Sequence, residues 1–152
     1  MADQQNIAQV ARKEWMGLLA RAPEEALMAL WSKFEAQPSF DWLRSPEVGG
    51  VMVRGRTGGT GAPFNLGEMT VTRCSLALKD GTVGHGYVQG RSRRKAEAAA
   101  LIDALMQTEA AGDIRAQVIG PLSQQMQAAK TARAAKAAAT KVEFFTMVRG
   151  ED

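Results

Sequence analysis

One dipeptide, Asp80-Gly81, constrains the fold of this chain more than any other feature. Asp-Gly between two alternating segments is typical of a two-residue type I′ turn, which fixes the register of a β-hairpin. The pairs that this register predicts are Leu78–Val83, Leu76–His85 and Cys74–Tyr87. We expect these six residues to share the core face. The opposite face, with Gly84 and Gly86, is small enough to let another backbone approach closely.

The segments around this hairpin predict an α+β fold. Apolar residues at helical spacing predict one helix over residues 7–20 and a second that begins near Pro23. Short strands are expected at residues 39–44 and 50–56, before a long strand at 68–79. A later apolar stripe predicts a covering helix that ends before Gly112. The expected architecture is an antiparallel four-stranded meander with an N-terminal helix pair and a covering helix.

The C-terminal third differs in composition from the rest. Residues 122–140 predict a helix with eight alanines among positions 128–139, and it has few large side chains to bury. Residues 142–148 are apolar on both alternating faces and predict an extended segment that needs cover. We therefore interpret residues 1–112 as the α+β core and residues 113–152 as a partner-docking arm of the same domain. The docking candidates are Phe144, Phe145, Met147 and Val148.

Charge and composition exclude several function classes. The net charge of +3 lies in residues 91–152, because residues 1–90 hold nine basic and nine acidic residues. A single cysteine excludes internal disulfides and cysteine-based zinc sites, and a single histidine excludes His clusters, so no metal site is expected. The order of elements does not fit an RNA-recognition domain, and no nucleic-acid partner is expected. With neither a signal pattern nor a membrane-length apolar run, we expect a cytoplasmic protein without a membrane partner.

Two segments are candidate anion- or partner-binding sites. The loop at residues 56–63, with Gly58 and Gly59, lacks the Gly-Lys-Ser/Thr ending of a phosphate loop and joins two strands. It is either a compact turn or a source of backbone N–H contacts. The basic cluster opens a helix behind Ser92, a plausible N-cap, and is either an anion site or a solvated patch. Its members are Arg91, Arg93, Arg94 and Lys95.

No catalytic residue is assigned. Cys74 and His85 could form a nucleophile and a base, but the predicted register favours a packed thiol and a packed imidazole instead. The tryptophans Trp15, Trp31 and Trp42 stand at core-like positions.

Several motifs along the chain together carry a family resemblance. They are Glu14-Trp15-Met16, Val53-Arg54-Gly55-Arg56-Thr57-Gly58-Gly59-Thr60-Gly61, Asp80-Gly81-Thr82, Val88-Gln89-Gly90-Arg91, Ala96-Glu97, Ala100-Leu101-Ile102-Asp103-Ala104-Leu105-Met106 and Phe144-Phe145-Thr146-Met147-Val148-Arg149-Gly150. They span most of the chain, from about residue 14 to residue 151. Together they resemble the PhnG family, the G subunit of the bacterial carbon–phosphorus lyase system.

The resemblance implies a role in phosphonate catabolism. In that family the G, H, I and J subunits form a two-fold symmetric hetero-oligomer. With the I, H and L proteins, the G subunit takes part in moving the ribose triphosphate of ATP to methylphosphonate, which releases adenine. ATP is then a substrate of the complex, an iron–sulfur cluster is expected on the J subunit, and no cofactor is expected on this chain alone. The resemblance implies no catalytic residue here, so we expect a structural subunit of a transferase.

Two other function classes remain open from the residues. The chain could be a standalone anion- or nucleotide-binding module that uses the basic cluster at residues 91–95. It could also be an independent enzyme with its site in the glycine-rich loop.

Overall fold

The computed structural model describes residues 1–35 and 37–149, and the side chains of residues 1–35 and 37–141. The helices are α1 (Ala2–Arg21), α2 (Glu24–Ser32), α3 (Arg93–Leu105), α4 (Ala111–Ile114) and α5 (Gly120–Arg149). The strands are β1 (Phe40–Arg56), β2 (Pro63–Leu78) and β3 (Val83–Gln89). A 3₁₀ turn, Thr57–Gly59, joins β1 to β2, and a π-helical turn, Arg115–Ile119, joins α4 to α5. The predicted α+β class is confirmed.

Within the described residues the sheet has three antiparallel strands in the order β1-β2-β3, so the predicted four-stranded meander is not confirmed. The two short strands expected at residues 39–44 and 50–56 are parts of one strand, β1. Its register shifts between Arg44, which lies opposite Ser75, and Glu47, which lies opposite Arg73. A proline is tolerated at such an irregularity on an edge strand, so Pro46 does not end β1.

The hairpin between β2 and β3 has a three-residue loop, and the predicted register is wrong by one residue. Cys74 pairs with Gly86, and Leu76 pairs with Gly84. The Gly81 N–H donates to the Leu78 carbonyl (2.9 Å), and Gly81 has a φ of 90°. This is a type I turn followed by a left-handed glycine, in which Asp80 keeps an ordinary negative φ. The shift moves Val83, His85 and Tyr87 away from the core face.

Helix α3 lies directly on the core face of the hairpin. A Cβ atom at Gly84 would overlap the Ala100 carbonyl oxygen, and one at Gly86 would overlap the Ala96 carbonyl oxygen. The close approach of a backbone, expected from these two glycines, is therefore made by α3. The expectation placed them on the face opposite Cys74, whereas they share its face.

The core lies between the sheet and the helices. Helices α1 and α2 pack on α3, and α1 also contacts β3. Residues from α4, the π-helical turn and the start of α5 belong to the same core as the helix pair; they are Ile114, Val118, Ile119 and Leu122. Trp15 and Trp31 are buried as expected, but Trp42 is 36% exposed and stands edge-on to Phe40. Trp42 lies on the edge strand β1.

Helix α5 continues to Arg149, so the extended segment predicted at residues 142–148 is wrong. No glycine or proline interrupts residues 122–149, and Ala, Lys, Gln and Arg are strong helix formers, so helix propagation outweighs the alternating pattern. All side chains from residue 127 to residue 141 are exposed. The docking candidates Phe144, Phe145, Met147 and Val148 lie outside the described side chains.

Candidate functional site

The basic cluster stands at the N-terminus of α3, where Ser92 is the N-cap as predicted. The Lys95 backbone N–H donates to Ser92 Oγ (3.1 Å). The Ser92 hydroxyl in turn donates to Glu24 Oε1 of α2 (2.7 Å). A carboxylate and a capping hydroxyl thus already occupy this helix N-terminus, where their negative charge and dipole are favourable.

Lys95 differs from the other members of the cluster because it is buried. Its Nζ atom donates to the carbonyls of Ala20 (3.1 Å) and Gln89 (3.3 Å), and the residue is 5% exposed. Burial lowers its pKa, and the nearby Glu24 carboxylate opposes that shift. Lys95 therefore ties α1 to β3, while Arg91, Arg93 and Arg94 point to solvent. These three arginines are the cations that an external anion or partner can reach.

Asp103 is a buried carboxylate that joins three elements. It accepts bonds from Arg12 Nε (3.1 Å) and Nη2 (2.7 Å) of α1 and from the Trp15 indole N–H (2.9 Å). It also accepts the His85 backbone N–H of β3 (2.9 Å). A carboxylate with four donors is well satisfied even though its side chain is fully buried. Its geometry fits a structural connection among α1, α3 and β3.

Cys74 and His85 lie on opposite faces of the sheet and do not form a nucleophile–base pair. The Cys74 thiol donates to the Ala96 carbonyl (3.2 Å), and burial raises its pKa to about 11. The expected packed thiol is confirmed. The expected packed imidazole is wrong, because the one-residue register shift exposes His85, whose Nδ1 shares a hydrogen bond with Ser75 Oγ (2.8 Å).

Gly58 and Gly59 form the tip of the β1–β2 hairpin. Their φ angles are 63° and 82°, and the Gly61 N–H donates to the Thr57 carbonyl (2.8 Å). Left-handed backbone of this kind favours glycine and explains the residue types by a compact turn. Residues 57–60 are all exposed.

A cationic cleft of about 610 Å³ lies where α5 leaves the helix pair α1–α2. Its floor includes Leu18, Ala26 and Met126. Its cations are Arg21, Lys130 and Arg133, and no acid is among its lining residues. Residues 114–142 contain no acid, and α1 adds Arg21 beside the cations of α5. The cleft favours a negatively charged partner surface.

Sequence reasoning missed Asp103 as the connection between elements. A usable signal was present, since Asp103 is the only charged residue between Ala98 and Met106, in a helix whose other residues there are apolar. A lone acid within such a run is buried with partners far more often than it is left alone. Its donors, Arg12 and Trp15, lie about 90 residues away and could not be paired with it from the sequence.

Metal-ligand clusters and membrane-spanning helices are both absent from the described residues. No three His, Cys, Asp or Glu side chains among them stand close enough to hold a metal ion. None of the helices in the same part of the chain has the length and apolar character that a membrane crossing needs.

The described surface is therefore that of a small α+β protein with uncovered extensions. Three extensions contain no buried residue. They are residues 1–10 at the start of the chain, residues 50–70 at the distal end of the β1–β2 hairpin, and residues 127–141 of α5. Exposed apolar and charged extensions of this kind are typical of proteins that assemble with others.

The chain belongs to the family described as phosphonate metabolism protein PhnG, whose model matches residues 10–150. A curated relative from Rhizobium meliloti (strain 1021) is the alpha-D-ribose 1-methylphosphonate 5-triphosphate synthase subunit PhnG. It is 43% identical over 151 residues, which cover 99% of this chain and 96% of the relative. The family resemblance inferred from the motifs is confirmed.

Proposed function

We propose that this chain is a subunit of a synthase that makes alpha-D-ribose 1-methylphosphonate 5-triphosphate in organic phosphonate catabolism. The observation that carries the proposal is the 43% identity, over nearly the full length of both chains, to a relative of that name. In the proposed complex, ATP is a substrate and donates its ribose triphosphate to methylphosphonate. The partners are the H, I and J subunits of a carbon–phosphorus lyase core, and also the L protein.

The role proposed for this chain within the complex is assembly rather than chemistry. Its one thiol is buried with a raised pKa, which keeps it protonated and unreactive near neutral pH. Its buried carboxylate, Asp103, already has four protein donors. The thiol and this carboxylate thus both hold the fold together, which supports a structural role.

Helix α5 is the proposed docking arm for another core subunit. From residue 127 to residue 141 every side chain is exposed, four are cations and none is an acid. The small alanine side chains let a second helix approach closely, and the cationic cleft at the base of α5 favours an acidic partner. In isolation this part of α5 contributes little to the core.

Nested truncations test this proposal. Chains that end at residue 140 or at residue 127 keep Leu122 and Met126, which pack against the core. Both should therefore remain folded by circular dichroism. Co-expression with the H, I and J subunits, followed by native mass spectrometry, should give a complex with the full chain and none with the chain that ends at residue 127. Normal assembly of that shorter chain would contradict the docking role of α5.

A standalone anion-binding module is the alternative, and the exposure of Arg91, Arg93 and Arg94 is the observation that favours it. Calorimetric titration of the isolated chain with ATP distinguishes the anion-binding module from the synthase subunit. Binding that is lost in Arg93→Gln/Arg94→Gln would favour the module. An absence of binding, together with assembly that weakens in the same variant as salt is raised, would favour the subunit.

A further inference from the structure

The distal β1–β2 hairpin, residues 50–70, is a two-stranded ribbon that extends beyond the rest of the sheet. Strand β3 pairs with β2 only from Val71 to Ala77. Beyond that point β2 pairs with β1 alone, from Gly50 opposite Thr70 to Arg56 opposite Pro63. At roughly 3.3 Å per residue this hairpin arm is about 20 Å long. None of its residues is buried.

The hairpin arm carries large apolar side chains that face solvent. Met52 is 56% exposed, Phe64 is 45% exposed and Leu66 is 62% exposed. A two-stranded ribbon is only marginally stable in water without a third strand or a covering helix. Its regular pairing and these exposed side chains together indicate a surface that is completed by another molecule.

The charges of the hairpin arm indicate what kind of partner surface would bind it. Between Glu47 and Glu68 the charged residues are Arg54 and Arg56, both exposed. Arg56 Nη1 contacts the Gly61 carbonyl at 3.4 Å, which leaves its other donors free. The distal end is thus doubly positive, apolar on its flanks and compact at the Gly58-Gly59 tip.

We propose that the hairpin arm inserts into a cleft on another subunit of the synthase, where apolar side chains meet Phe64 and Leu66 and carboxylates meet Arg54 and Arg56. The inference rests on the proposed function, which supplies the other subunits. Pairing of two such arms from two copies of this chain is disfavoured, because it would bring two pairs of arginines together. The arm is a second docking element, separate in sequence from α5.

Shortening the arm tests the proposal. Met52 lies opposite Glu68. An Asn-Gly dipeptide in place of residues 53–67 therefore closes the hairpin with a two-residue turn and removes the whole distal end. No buried residue is lost, so the shortened chain should unfold at the same temperature as the full chain. Its affinity for the other co-expressed synthase subunits should fall at least 100-fold.

A charge-reversed variant gives an independent measurement. Arg54→Glu/Arg56→Glu should weaken assembly at least 30-fold at 0.15 M salt. Lys79→Glu, at the exposed turn between β2 and β3, is the matched control and should leave assembly unchanged. Equal assembly of the shortened, charge-reversed and full chains would overturn the role of the arm. Failure of the full chain itself to assemble would instead overturn the proposed function.

A photo-crosslinking residue at Phe64 identifies the occupant directly. A crosslink to an acid-containing segment of another synthase subunit supports the proposal. A crosslink to a second copy of this chain overturns it, even where the shortened chain has lost affinity. The same probe at Lys79 reports contacts that do not depend on the arm.

Discussion

At the scale of single residues, Asp103 should determine much of the stability of the isolated chain. Asp103→Ala leaves the Trp15 indole N–H and the His85 backbone N–H without their acceptor. It also leaves Arg12, which is one-third exposed, without its counter-ion. We expect a loss of about 3 kcal/mol in the free energy of unfolding, measured by urea denaturation. Glu109→Ala, an exposed acid that follows α3, should change stability by less than about 0.5 kcal/mol.

Cys74 should make stability depend on pH in the alkaline range. Its pKa rises from 9.0 to about 11 on burial. The folded chain therefore binds the thiol proton more tightly than the unfolded chain does. The contribution of the protonated thiol to the free energy of unfolding is complete below pH 9. It falls by about 1–2 kcal/mol as the pH rises toward 11. Unfolding free energies of the parent and of Cys74→Ala, compared from pH 8 to pH 11, should converge by that amount, and parallel curves would contradict the prediction.

At the scale of elements, the contact between β3 and α3 depends on two glycines. A Cβ atom at position 86 would meet Cys74 Sγ at 2.9 Å and would also overlap the Ala96 carbonyl. Gly86→Ala should therefore destabilise the chain by about 3 kcal/mol, because backbone cannot move aside as a flexible side chain can. Gly67→Ala is the control and should be near neutral, because Gly67 is a strand glycine of β2, opposite Val53, with open space around its Cβ. Similar melting temperatures for the two variants would refute close packing of α3 on β3.

The elements also show what the sequence could and could not predict. Helical spacing located α1, α2 and α3, and alternation located the core face of β2 at Cys74, Leu76 and Leu78. The predicted register was wrong because Asp-Gly fits both a two-residue turn and the last two positions of a three-residue loop, so the dipeptide alone does not distinguish the two. Gly84 and Gly86 held the needed signal, since glycines alternate where a helix lies close.

The orientation of the basic cluster could be predicted only in part. Arg91, Arg93 and Arg94 are exposed as an anion- or partner-binding role requires, but Lys95 turns inward to two backbone carbonyls. Those acceptors come from α1 and from the end of β3, and nothing in the local sequence identifies them. The hairpin arm was not predicted either. The sequence indicated two short strands, which would form a compact meander, whereas β1 is one strand of 17 residues that extends beyond the sheet.

At the scale of the whole molecule, backbone hydrogen exchange should separate a stable centre from extensions that need partners. In the isolated chain, residues 98–105 of α3 are buried and should exchange slowly. Residues 127–141 of α5 should exchange within seconds, since a helix exposed on all sides is marginal even when it is rich in alanine. The hairpin arm, residues 50–70, should exchange as fast because no third strand or helix covers it.

On assembly with the other synthase subunits, the amide exchange rates of residues 127–141 and of the hairpin arm should fall at least 100-fold, while those of α3 stay unchanged. Hydrogen exchange followed by mass spectrometry measures both. Slow exchange of α5 and the arm in the isolated chain would mean that they are stable alone, and the division into centre and extensions would then be wrong.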